Sequence, residues 1–138
     1  MAVGELAQRL FLGGYGCGEA LLLSLRQEGV VTVSDAVVRA STGLAAGCGG
    51  QREMCGAVIS GIQAIGIRYG RADKSVERKA AMERSGRLVE RFRKQFGTVT
   101  CRELVRDFAD FNSGEREEHC SKFVSFVAGR AAELLEIE

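Results

Sequence analysis

Five cysteines occur in this chain of 138 residues, at Cys17, Cys48, Cys55, Cys101 and Cys120. Three of them, Cys17, Cys55 and Cys101, fall at predicted helix N-termini. Cys120 lies within the first two turns of another helix. A helix start presents unpaired N–H groups and about half a positive charge. Both stabilise a thiolate, and the thiolate is the sulfur nucleophile and the metal ligand. If the helix starts converge, they would hold an anionic group of thiolates with no lysine or arginine beside them. Three chemistries remain open. Four thiolates can hold zinc or an iron–sulfur cluster. Two of them can cycle as a disulfide. The bland alternative is that free cysteines serve as small buried hydrophobes. No CxxC pair is present, so spacing does not choose among these.

The other reactive residues add little. Cys48 lies seven residues before Cys55 in a glycine-rich loop and reads as passive, rather than as a fifth ligand or a resolving thiol. His119 is the only histidine. On a helix it points about 100° away from Cys120, so it reads as solvent-facing. With one histidine there is no support for a Ser-His-Asp set, and the carboxylates lie in charge-mixed segments without an isolated acid/base couple. The loop Gly47-Cys48-Gly49-Gly50 lacks the Lys-Ser/Thr ending of a P-loop, so nucleotide binding is not expected.

The elements that must position the cysteines follow from periodicity and glycine punctuation. Val3–Leu12 reads as a short amphipathic helix broken by Gly13 and Gly14. Cys17 to Gln27 reads as a second helix, apolar nearly all round at Ala20 to Leu25 and hence central. Val30 to Val33 is an extended connector into a third helix, capped by Ser34 and ending near Ala46. The loop from Gly47 to Met54 leads into an apolar helix from Cys55 toward Tyr69. Its small residues Gly56, Ser60, Gly61 and Ala64 suit close approach by neighbouring helices or a cofactor. Ala72 to Phe96 reads as the longest helix, with an apolar stripe of Val76, Ala80, Leu88, Phe92 and Phe96, stopped by Gly97. Thr100 and Glu103 match a capping box that puts Cys101 at the first helical position of a helix continuing to Phe108. A last helix from about Glu115 carries Cys120, Phe123, Val124, Val127 and Leu134 inward. The expected fold is all-α: one compact domain over residues 1–138, with about five to seven helices and a glycine-rich loop before the central buried helix.

Composition agrees and sets limits. Nineteen basic and eighteen acidic residues nearly cancel, which argues against a nucleic-acid binder. Proline is absent and glycine numbers eighteen, which favours helices joined by glycine turns. Glu5, Gln8 and Arg9 interrupt any signal-peptide run, and the apolar stretch from Cys55 to Ile67 is too short to span a bilayer. A cytoplasmic location is therefore expected. Thiols stay reduced there, which favours metal or redox chemistry over structural bridges.

At this point the chain resembles the C-GCAxxG-C-C family of redox-active four-cysteine proteins, from about Leu10 to Leu135. Tyr15-Gly16-Cys17-Gly18-Glu19-Ala20 is similar to its first cysteine segment, and Cys55-Gly56-Ala57-Val58-Ile59 to its central motif. Thr98 to Leu104, around Cys101, resembles the third segment, and Cys120 takes the fourth place. Ser60 replaces the motif's last glycine, and Cys48 stands where an apolar residue is more usual. The resemblance implies a small helical domain with four redox-active cysteines. A similar domain in split-Soret cytochromes is associated with an iron–sulfur cluster. Haem is not expected, because there is no CxxCH site. The expectation is an iron–sulfur cluster, [2Fe–2S] in type, held by Cys17, Cys55, Cys101 and Cys120 for electron transfer or redox sensing. Gly56 would allow its close approach. The alternatives are a metal-free thiol–disulfide oxidoreductase using the same cysteines, and a zinc-stabilised helical interaction module. The expected partner is an unidentified redox protein, and the amphipathic Ala72–Phe96 segment would suit a homodimer.

Overall fold

The computed structural model describes residues 2–136, and among them seven α-helices and one 3₁₀ turn, without a named strand. The helices are α1 Val3–Leu12, α2 Cys17–Gln27, α3 Asp35–Ala40, α4 Gly56–Tyr69, α5 Lys79–Phe96, α6 Cys101–Leu104 and α7 Gly114–Glu136. This is the expected all-α architecture. None of these helices is long and apolar enough to cross a membrane.

The centre is built by α2, α4 and α7, with α1 laid along α7 and α2, and α5 against α4 and α7. The apolar run in α2 explains its place: Leu21, Leu22 and Leu25 are completely buried, and so are Val58 and Ile65 of α4 and Leu134 of α7. Helix α4 can be central because it is thin. A Cβ on Gly61 would lie 2.6 Å from Leu88 of α5 and 2.8 Å from Val127 of α7, so only glycine lets both neighbours close in. Four phenylalanines, Phe92, Phe96, Phe123 and Phe126, tie α5 to α7. The Phe96 and Phe123 rings meet edge to face at 4.8 Å. At the far end of α4, Arg68 donates to the carbonyls of Val30 and Leu135, and Tyr69 donates to the latter as well.

Several expectations about element ends are corrected. The third helix stops at Ala40 and passes through a 3₁₀ turn, Thr42–Leu44, instead of continuing to Ala46. Its predicted cap is present: Ser34 accepts the N–H of Val37 at 3.3 Å. The longest helix is α7, of 23 residues; α5 has 18 and begins only at Lys79. The preceding residues prefer local side-chain bonds. Asp73 accepts the N–H of Ser75, and Arg71 donates to the carbonyls of Lys74 and Val76. Val76 is therefore 52% exposed instead of part of the buried stripe. Gly97 does end α5 in the left-handed conformation, at φ 86°. Helix α6 is a single turn that ends at Leu104, short of the expected Phe108.

Candidate functional site

Cys17, Cys55, Cys101 and Cys120 line one cavity of about 390 Å³. They arrive from four different elements. Cys17 is the first residue of α2. The turn ahead of it is closed by Glu19, whose carboxylate accepts the Gly16 N–H at 2.9 Å and the Thr42 hydroxyl at 2.8 Å. Cys55 is the N-cap of α4, Cys101 opens α6, and Cys120 lies in the second turn of α7.

Cys55 and Cys101 are held side by side by an antiparallel backbone pairing that the sequence reading missed. The Cys55 N–H donates to Val99 at 2.8 Å, the Cys101 N–H to Glu53 at 2.6 Å and the Arg102 N–H to Arg52 at 3.0 Å, around a bridge between Met54 and Thr100. These bonds take the place of the expected capping box, for Thr100 makes no side-chain cap. The loop before Cys55 folds back by bonds of its own. Gly49 donates to Gly43, Arg52 to Ala46 and Glu53 to Gly47. Ala46, Cys48 and Arg52 adopt positive φ values of 54°, 71° and 57° along this loop.

Cys48 does not line the cavity. Its sulfur lies 4.0 Å from the carbonyl oxygen of Met54. His119 is not solvent-facing as expected. It is half-buried with Nε2 3.0 Å from the Leu104 carbonyl oxygen, and its ring sits between Phe108 and Phe123. It fastens α6 to α7.

Electrostatics corrects a further expectation. The helix starts do not make the four sulfurs into standing thiolates. Burial raises the Cys17 thiol, and the backbone N–H groups of Gly18 and Ala46 oppose this only in part. The Cys55 thiol is also raised, by burial first and then by its sulfur neighbours Cys17 and Cys101, against the N–H groups of Val58 and Ala57. Cys101 is pushed up to about 11 by burial and by Cys120 and Cys17. Cys120 is raised by burial, against a hydrogen bond and the positive charge of Arg116. Desolvation of the charged form outweighs the helix dipole here. The metal-free site holds four neutral thiols.

Cations do stand beside the sulfurs, contrary to expectation. Arg116 lines the cavity and pairs with Cys120, and Arg52 and Arg116 both act on Cys101. Both guanidinium groups stack on Phe111, at 4.2 and 4.0 Å from the ring centroid. The sequence offered no periodic signal for them, because Arg52 comes from the glycine loop and Arg116 from the far end of the chain.

The residues suit a cofactor held by thiolates. A Cβ on Gly56 would meet Cys17 Sγ at 2.6 Å and the Leu44 carbonyl oxygen at 2.4 Å, so the cavity wall at the motif is backbone. The lining is otherwise largely apolar, with Phe11, Leu104, Val105 and Val124 excluding water. All five thiols are free, and among the described residues no three His, Cys, Asp or Glu side chains converge closely enough to hold a single metal ion.

Residues 15–134 match the family model described as "Putative redox-active protein (C_GCAxxG_C_C)". No match was found among curated proteins or among solved structures.

Proposed function

The chain belongs to the C_GCAxxG_C_C family, and we propose that its four cavity cysteines hold an iron–sulfur cluster for electron transfer or redox sensing. The observation that carries this reading is the selection of thiols: Cys17, Cys55, Cys101 and Cys120 face one cavity, and the fifth cysteine stands outside it. A bound [2Fe–2S] cluster would supply one-electron chemistry and would take the sulfurs as thiolates. The chain's own groups prepare for it. Burial keeps the free thiols protonated, so loading releases protons. Arg116 and Arg52 offset negative charge at the Cys120 and Cys101 sulfurs. Gly56 brings backbone to the cavity wall, and the apolar lining limits water. The test is a visible spectrum of protein purified without oxygen. Absorption that bleaches with dithionite, together with iron and acid-labile sulfide in equal amounts, is expected. A colourless, iron-free protein under those conditions would reject the reading.

A second reading has one observation in its favour. Cys55 is free and has the free thiols of Cys17 and Cys101 as sulfur neighbours, which suits reversible disulfide formation among the same thiols. Their burial makes that exchange slow, because the protonated thiol is a poor nucleophile. Thiol counting before and after mild oxidation separates the two. Loss of two thiols with full recovery on reduction would support the disulfide cycle.

A further inference from the structure

A second cavity, of about 200 Å³, opens next to the cysteine cavity. Arg52, Arg102 and Arg106 line it, together with Val105, Phe108, Ala109 and Phe111. Val105 and Phe111 also line the first cavity, so the two share a wall. Three like-charged side chains around so small a space repel one another, and an anion there would relieve that repulsion.

No carboxylate answers them. Among the described residues, none of the three forms an ion pair, and the neighbouring Glu53, Glu103, Asp107 and Asp110 are exposed and do not line the cavity. Their hydrogen bonds are few and go to carbonyl oxygens. Arg102 donates one to Gln51 at 3.1 Å, and Arg106 donates one to Glu103 at 3.1 Å. The Nε of Arg52 is buried and has no partner. The guanidinium charge of Arg52 is thus not met at Nε by any group of the fold. The Arg52 guanidinium is meanwhile held in place by the face of Phe111.

From this arrangement we infer that the Arg52, Arg102 and Arg106 cavity is a binding site for a phosphate group. A carboxylate is satisfied by one guanidinium fork, whereas three forks match the several oxygens and the double charge of a phosphoryl group. The space admits such a group and a small part of what carries it. The three arginines line this cavity in the metal-free chain, so the site is testable in the reduced protein.

The experiment is a titration of the full-length reduced protein with inorganic phosphate at low ionic strength. It is followed by amide chemical shifts of Val105, Ala109 and Phe111. Saturable shifts are expected, absent with sodium chloride at matched ionic strength. Arg102→Gln and Arg106→Gln, both at exposed positions, should each weaken binding by about tenfold or more. Arg87→Gln, on the exposed side of α5, should leave it unchanged. An equal response to chloride, or equal weakening by Arg87→Gln, would overturn the proposal. So would undiminished binding in the Arg102→Gln and Arg106→Gln variants. A parallel titration with glycerol phosphate identifies the source: tighter binding than inorganic phosphate means a phosphorylated small molecule, and weaker binding means free phosphate.

Discussion

The α-carbon of Gly56 faces Cys17 Sγ so closely that an added methyl would sit 2.6 Å from the sulfur. The first motif cysteine and the central motif thus share one wall, although thirty-eight positions separate them (Cys17 to Cys55). The same methyl would strike the Leu44 carbonyl oxygen at 2.4 Å, and backbone cannot step aside as a flexible side chain can.

Gly56→Ala follows from that contact. Elsewhere in a helix the change would add about 1 kcal/mol of stability. Here overpacking should reverse the sign and cost about 1–3 kcal/mol. Urea denaturation measures it. A more stable alanine variant would mean that α2 and α4 are not packed as described.

Cys48→Gly should act the other way. Cys48 holds φ at 71°, a conformation that costs a non-glycine residue about 1–2 kcal/mol. Its thiol is outside the cavity. Glycine should leave cofactor content unchanged and raise stability by up to about 1 kcal/mol, after its larger unfolded-state entropy is counted. Loss of bound iron in this variant would place Cys48 in the site.

The raised thiols fix a pH dependence for the reduced, metal-free protein. A thiol in the unfolded chain titrates near 9.0, and Cys101 in the folded chain near 11. Between these values the unfolded state has released a proton that the folded state keeps, so stability falls as pH rises. The contribution is fully present below about pH 9 and is lost up to about pH 11, with Cys17, Cys55 and Cys120 adding in the same direction. Chemical denaturation across that range should show the decline. It should shrink in Cys101→Ser, and stability that rises with pH there would contradict the burial of these thiols.

Arg116 should control the reactivity of Cys120. Its hydrogen bond and charge lower a thiol that burial raises. Arg116→Gln should slow alkylation of Cys120 at neutral pH by up to about tenfold, the effect of one pKa unit. Arg116→Lys should restore part of the rate, since it keeps the charge but not the stacked plane on Phe111. Equal rates in all three proteins would remove Arg116 from the site.

Much of the scaffold was legible because local rules and tertiary packing agree. Periodicity gave α1 and α2 their ends, Ser34 capped α3 as its type suggests, and Gly97 closed α5. The failures have physical causes that act at a distance or in competition. The capping pattern at Thr100 lost to a tertiary bond from Cys101 to Glu53. The helical pattern before Lys79 lost to the bonds of Asp73 and Arg71. The four motif cysteines were found from helix starts and family pattern, and they do share a cavity. Their protonation was misjudged, because the helix dipole can be read from sequence and the depth of burial cannot. Arg102 and Arg106 are close in sequence, but Arg52 joins them only in three dimensions, so composition showed all three as part of a balanced charge.

The most direct test of the central claim is iron and sulfide content in five single serine variants purified without oxygen. Cys17→Ser, Cys55→Ser, Cys101→Ser and Cys120→Ser should each lose most of the bound iron and sulfide, while Cys48→Ser keeps the wild-type amount. Full retention in all four cavity variants, or loss in Cys48→Ser alone, would contradict a cluster held by the cavity thiols.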